Sequence, residues 1–148
     1  MEYARKEKTA CRSLYRSLDK LYKSVVITFD NANAKTEKLR QDLTKALDQT
    51  CVLYKKSQIA WSHVIPESKN YSARFKAQKA SDNYKLAQEF AFALRCEFKK
   101  AEYISEEARD VGIEIWLKLR PAEVRFKRAC RHVDYLHSIG ATDHFAKL

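Results

Sequence analysis

The chain has very few of the residues that end helices: two glycines and two prolines occur in 148 residues. Glycine and proline mark the turns of strand-rich folds, so their scarcity argues against an all-β or loop-rich protein. Hydrophobic residues make up 45% of the chain and aromatic residues 11%, which is enough core material to exclude global disorder. The composition therefore predicts an all-α protein of long helices joined by short turns.

Long apolar runs and paired cysteines are also missing. No run approaches the roughly 20 apolar residues that a helix needs to cross a bilayer, and the N-terminal residues MEYARKEKTACRSLY contain no signal-peptide core. The four cysteines lie 34 or more residues apart, without a CxxC pair or zinc-finger spacing. We therefore expect a cytoplasmic protein with free, buried thiols and with no transmembrane segment, metal ion or cofactor.

Apolar residues recur every three or four positions in four segments, which is typical of helices that bury one face. Asp30–Asn33 suits a turn, Pro66 marks the clearest interruption, and Ser105 suits a helix N-cap. Pro121 predicts a kink or short break, and Gly140 predicts a C-cap. The predicted helices span about residues 3–29, 34–63, 69–103 and 106–139.

These segments predict one domain, residues 1–148, folded as an antiparallel up-down four-helix bundle with long helices, the last kinked at Pro121. A linked pair of helical hairpins, or a bundle completed by a second subunit, fits the same pattern. A homo-oligomer is therefore an alternative arrangement.

The same periodicity assigns residues to the core. In the third helix the predicted stripe includes Tyr71, Phe75, Leu86 and Phe90. In the last helix it comprises Ala108, Val111, Ile115, Leu119, Ala122, Phe126, Ala129, Val133 and Leu136. Trp116, Val124 and Tyr135 fall off that stripe. They are either exposed partner contacts or are buried by a phase shift at Pro121.

The chain is strongly basic, with 29 Lys and Arg against 19 Asp and Glu and a net charge of +10. Such an excess favours nucleic acid first, an anionic membrane surface second and an acidic protein third. The most basic segment has one acid, Glu123, among six cations: Lys118, Arg120, Arg125, Lys127, Arg128 and Arg131. A helix that displays these cations predicts binding to phosphates with little sequence preference.

We therefore expect a non-enzymatic nucleic-acid-binding accessory protein, whose partner is RNA, a ribonucleoprotein or a nucleic-acid-processing protein. The alternative from another class is a protein-interaction scaffold that uses Trp116, Tyr135 and an acidic cluster at one end of the bundle. Helix-dipole compensation also explains that cluster, which comprises Glu102, Glu106, Glu107, Asp110 and Glu114.

Two short patterns resemble known families. Arg131 and His137, with the polar His132 after the arginine, resemble the Arg-x(4–6)-His signature of HEPN ribonucleases. In that family the Arg and His of two subunits line a metal-independent RNA-cleaving site. A regular helix, however, places residues six positions apart at well-separated angles. This resemblance implies a second alternative function, that of a ribonuclease.

The segment 86–115 is similar in rhythm to small basic four-helix proteins, namely the accessory proteins of diversity-generating retroelements and the proteins of ribosomal-RNA intervening sequences. The likeness rests on Leu94-Arg95 and on Ile104-Ser105. The glycine-rich motif with a terminal tryptophan typical of that last helix is absent from this sequence. The resemblance implies an oligomeric bundle that binds nucleic acid and assists a reverse transcriptase.

Overall fold

The computed structural model describes residues 1–66 and 71–141. Of these, 94% are helical and none lies in a strand, which confirms the all-α prediction. Helix α1 spans Glu2–Ser62 and helix α2 spans Tyr71–Ser138. The four-helix bundle is not confirmed, because each long helix runs through one of the predicted breaks. The predicted start of the third helix near residue 69 lies outside the described residues.

Two predicted helix boundaries are wrong. Asp30–Asn33 is helical, and Ser105 is a buried residue inside α2 rather than its N-cap. Asp and Asn disfavour helix by less than about 0.7 kcal/mol each relative to Ala, and neither segment contains glycine or proline. Packing of the residues around them against the other helix outweighs so small a preference.

The predictions at Gly140 and Pro121 have different outcomes. Gly140 has φ +69°, and its N–H donates to the carbonyl of His137 while that of Ala141 donates to Leu136. These are the two hydrogen bonds of a Schellman C-cap, so that prediction is confirmed. Pro121 lies on the exposed side of α2, which continues through it. The predicted break is therefore absent and the predicted kink is not confirmed.

The chain divides into two compact units. Unit 1 comprises Met1–Asp30 and Glu106–Leu148, and unit 2 comprises Asn31–Ser105. The boundaries between them fall where the sequence predicted helix breaks. Each unit therefore contains one part of α1 and one part of α2.

Both units are antiparallel helix pairs. In unit 1 the rings of Tyr15 and Phe126 stack 5.8 Å apart, and Val25 packs beside Gly112. In unit 2 the ring centroids of Tyr54 and Tyr84 lie 5.2 Å apart, and the Oγ atoms of Ser57 and Ser81 lie 3.0 Å apart. The numbers rise along α1 as they fall along α2, as an antiparallel pair requires.

Most of the buried and half-buried residues form one stripe on each helix, with strictly alternating intervals of three and four residues. This 3.5-residue period is that of a coiled coil. We call the two rows together the packing stripe. Its members on α1 are Ala4, Lys8, Cys11, Tyr15, Leu18, Tyr22, Val25, Phe29, Ala32, Thr36, Leu39, Leu43, Ala46, Thr50, Leu53, Ser57 and Ala60. Its members on α2 are Ala73, Ala77, Ala80, Tyr84, Ala87, Ala91, Leu94, Phe98, Ala101, Ser105, Ala108, Gly112, Ile115, Leu119, Ala122, Phe126, Ala129, Val133 and Leu136.

Small residues dominate the packing stripe. Seven of the ten buried apolar residues in the described part of the chain are alanines. The predicted stripe of the last helix is largely confirmed, although Gly112 takes the place of the exposed Val111. For the third helix the prediction is wrong at Tyr71, Phe75, Leu86 and Phe90, which are all exposed. The predicted Leu94 and Ala101 do lie on the packing stripe. In this part of α2 the large apolar residues and the alanines lie on different faces of the helix. The alanines face α1 because their small side chains allow the two helices to approach closely.

The corrected stripe can be tested with two neighbouring substitutions. Ala77 is 0% exposed and Phe75 is 70% exposed. Ala77→Ile overfills a packed position and should lower the free energy of unfolding by about 1–3 kcal/mol. Phe75→Ala should change it by less than about 0.5 kcal/mol. Urea denaturation followed by circular dichroism measures both, and a larger loss for Phe75→Ala would contradict the assigned stripe.

Gly112 offers a second test. A Cβ atom added there would lie 3.5 Å from Cγ1 of Val25, which is ordinary van der Waals contact. Gly112→Ala should therefore raise the free energy of unfolding by about 1 kcal/mol, because alanine is the better helix former. Ala108→Gly, one turn earlier on the stripe, should lower it by a similar amount. A destabilised Gly112→Ala variant would show that the close approach requires glycine.

Candidate nucleic-acid interface

The six predicted binding residues are all exposed on α2 within unit 1, but they do not share one face. At about 100° per residue, Arg120 and Lys127 lie on one flank of the helix, and Arg131 lies opposite the packing stripe. The other flank carries Lys118, Arg125 and Arg128. The structure therefore divides the predicted set among two flanks and the face opposite the packing stripe.

The first flank is partly neutralised by Glu123. Nη1 of Arg120 lies 3.1 Å from Oε2 of Glu123, and Nζ of Lys127 lies 2.6 Å from Oε1. The hydrogen bond from Lys127 is the largest cause that lowers the pKa of the Glu123 carboxyl below its ordinary value, and Arg120 adds to it. The Arg120 guanidinium also lies 5.7 Å from the ring centroid of Trp116. These contacts hold Arg120 and Lys127 close to the helix surface.

The other flank borders a groove between the two helices of unit 1. Arg125, Arg128 and His132 line it from α2, Glu7 and Cys11 line it from α1, and its volume is about 560 Å³. We call it the basic groove; Ala129 also lines it. Neither Arg125 nor Arg128 forms an ion pair with a described residue. Two guanidinium groups are therefore available to an anion.

His132 completes this site, and the sequence indicated it only as the polar neighbour of the HEPN pattern. The overlooked signal is spacing. His132 follows Arg128 by four residues and Arg125 by seven, and such intervals align side chains along one helix flank. Lys118 lies farther along the same flank, where its Nζ lies 3.1 Å from Oε1 of Glu114.

The HEPN pair does not converge within one chain. Arg131 and His137 are both exposed, and six residues of helix leave them about 120° apart around the axis. The HEPN resemblance stays a prediction. Within residues 1–66 and 71–141, no group of three or more His, Cys, Asp or Glu side chains is arranged to hold a metal ion.

The acidic cluster lies within the continuous helix α2, not at a helix end. Its interpretation as compensation for a helix dipole is therefore wrong, since no helix begins at Ser105. Trp116, Val124 and Tyr135 are exposed, so Pro121 produces no phase shift that buries them. Trp116 borders a second groove of about 310 Å³, lined also by Val26, Gly112 and Ile113.

All four cysteines are free thiols, as expected from their spacing. The expected burial is wrong for two of them, because Cys51 and Cys96 are exposed while Cys11 and Cys130 are partly buried. No helix in the described part of the chain is long and apolar enough to span a bilayer.

No protein-family model, curated protein or solved structure matches the chain. The two family resemblances therefore stay predictions. The function has to be inferred from the charged and apolar surfaces of the two helices.

The Glu123 ion pairs can be tested by titrating its carboxyl group with NMR. Lys127→Met should raise the pKa of Glu123 toward its ordinary value, and Arg120→Met should raise it less. Lys118→Met, which removes the partner of Glu114 instead, should leave the pKa of Glu123 unchanged. Because the pKa of Glu123 is lowered in the folded state, the ion pairs stabilise α2 at pH values above the ordinary carboxyl pKa. That stabilisation is lost as the pH falls through the lowered pKa. An equal pKa in wild type and Lys127→Met would contradict the geometry.

Proposed function

We propose that this protein is a non-enzymatic nucleic-acid-binding protein that binds backbone phosphates at the basic groove of unit 1. The observation that carries the proposal is the pair Arg125 and Arg128, which line that groove beside His132 and have no described ion-pair partner. Guanidinium groups bind phosphate through two parallel hydrogen bonds. A groove with two of them, open to solvent, suits successive phosphates of a backbone.

The net positive charge of the chain also supports nucleic-acid binding, although it does not indicate where on the surface the nucleic acid binds. A net charge of +10 draws polyanions toward the surface and raises the rate of encounter. The cations Arg120, Lys127 and Lys118 are less available, because each is already paired with a carboxylate. Arg125 and Arg128 therefore supply most of the local contact.

The proposed ligand is RNA or a ribonucleoprotein, in keeping with the family resemblance to retroelement accessory proteins. Phosphate contacts carry no sequence information by themselves. Binding should therefore depend steeply on salt and weakly on sequence.

We also propose that two copies of the chain associate, each supplying α1 and α2, so that the four helices predicted from the sequence come from two chains. The support is the amount of apolar surface left uncovered by two helices that touch along one stripe. Tyr135, Leu86 and Phe90, for example, are each more than half exposed.

The binding proposal is tested by reversing the charge of the groove. Arg125→Glu with Arg128→Glu should weaken binding to a generic single-stranded RNA by about tenfold or more at 50 mM salt. The slope of log affinity against log salt between about 50 and 200 mM should fall by about 2. Fluorescence anisotropy of a labelled RNA measures both.

The matched control reverses two exposed cations of unit 2, Lys55→Glu with Lys85→Glu, and so changes the net charge equally. It should stay within about threefold of wild type, since screening limits distant charges. An equal loss in both variants would show that net charge, not the groove, binds RNA. Absence of binding by the wild type at 50 mM salt would contradict the proposed function.

A further inference from the structure

The solvent-facing side of α2 in unit 1 carries a second regular row of residues, separate from the packing stripe. Its intervals again alternate between four and three residues, and all eight members are exposed. We call this row the outer stripe. It consists of Glu106, Asp110, Ile113, Leu117, Arg120, Val124, Lys127 and Arg131.

The middle of the outer stripe is apolar. Ile113, Leu117 and Val124 are 52%, 60% and 56% exposed, and Trp116 borders them. Apolar residues at coiled-coil spacing bury themselves when a second helix packs over them. Exposed aromatic and aliphatic side chains of this kind, rimmed by charge, are typical of protein interfaces.

The charges of the outer stripe are sorted by sign. The N-terminal end carries the acids Glu106 and Asp110, and the C-terminal end carries Lys127 and Arg131. A partner helix that ran parallel in the same register would meet like charge with like charge at both ends. A copy of the same helix running antiparallel would meet opposite charge at both ends.

An antiparallel copy also matches the stripe residue by residue. With the two-fold axis between Lys118 and Leu119, Glu106 faces the second copy's Arg131, and Asp110 faces its Lys127. The same axis places Ile113 opposite Val124, and Leu117 opposite the aliphatic stem of Arg120, whose charged end can remain in water. The alternation of four and three residues reads the same in both directions, so one axis satisfies all of these positions.

We infer that two copies of this chain associate through the outer stripes of their α2 helices, antiparallel and about a two-fold axis between Lys118 and Leu119. A symmetric contact of this kind uses the same surface on both chains and closes without leaving an end free. The inference rests on the proposed association of two chains and names the surface that forms it. Because the outer stripe faces away from α1, the contact joins two helix pairs side by side.

The amount of exposed surface supports a second copy as the occupant. The chain exposes 11645 Å², whereas a monomeric protein of 17.3 kDa typically exposes about 7,800 Å². The difference exceeds the roughly 1,600 Å² that a standard protein interface buries in total. A second copy of the chain, placed antiparallel, carries the complementary order of charges on its own outer stripe.

The association would assign different roles to the two flanks of α2. Arg120, Lys127 and Arg131 would lie in the contact between chains. Arg125 and Arg128 would stay available to phosphate. Self-association and RNA binding should therefore respond to different substitutions.

The test measures self-association by sedimentation equilibrium between about 10 and 100 μM protein, with folding checked by circular dichroism. Glu106→Lys with Asp110→Lys should weaken dimerisation by about tenfold or more, because every end contact becomes repulsive. Adding Lys127→Glu and Arg131→Glu to that variant restores opposite charges and should bring the dimer back to near wild-type strength. Ile113→Ser with Leu117→Ser should also weaken the dimer.

A control on the same face of α2 in unit 2, Asp82→Lys with Glu89→Lys, raises the net charge equally. It should leave dimerisation within about twofold of wild type. A wild type that is monomeric at 100 μM would overturn both the association of two chains and the outer-stripe contact. A dimer insensitive to the Glu106/Asp110 and Ile113/Leu117 changes would overturn the outer-stripe contact alone. RNA binding by the Arg125/Arg128 variant is measured separately, so its failure stays distinguishable.

Discussion

Close contact along a narrow row of small side chains is the constraint on which this structure depends. Alanines at Ala77, Ala91 and Ala129 are buried, and small residues at a 3.5-residue period allow two helix backbones to approach without gaps. That contact outweighs the weak helix breakers at Asp30–Asn33, so α1 and α2 each continue where turns were expected. It also leaves most large apolar side chains on other faces.

The faces left outside by this packing carry the basic groove and the outer stripe. On α2 the flank next to the helix partner holds Arg125 and Arg128 at the edge of a groove. The side opposite the partner holds an apolar row with acids before it and cations after it. One basic segment therefore supplies two different surfaces. Its two flanks differ because Glu123 occupies the cations of one and not those of the other.

Ion pairing changes how the basic composition should be understood. Exposed ion pairs contribute little to stability, but they decide which cations are available to a ligand. Lys118 and Lys127 look equivalent in composition to Arg125, yet both have carboxylate partners one turn away. The spacing of three or four residues between acid and base is readable from the sequence. That spacing alone distinguishes Lys118 and Lys127 from Arg125, which has no acid three or four residues away on either side.

The sequence by itself determined that the protein is all-helical, that the chain reverses near Pro66, that Gly140 caps α2, and that the basic segment is exposed. Those properties follow from the conformational preferences and the charges of individual residues, which do not depend on the rest of the fold. Only the tertiary structure decided that there are two helices, not four, and that alanines rather than Phe75 and Phe90 form the contact. It also placed His132 beside Arg125 and Arg128 in the basic groove. These features depend on which row of residues on one helix packs against the other helix. The fit between the two helix surfaces decides this, and the sequence of one helix alone does not.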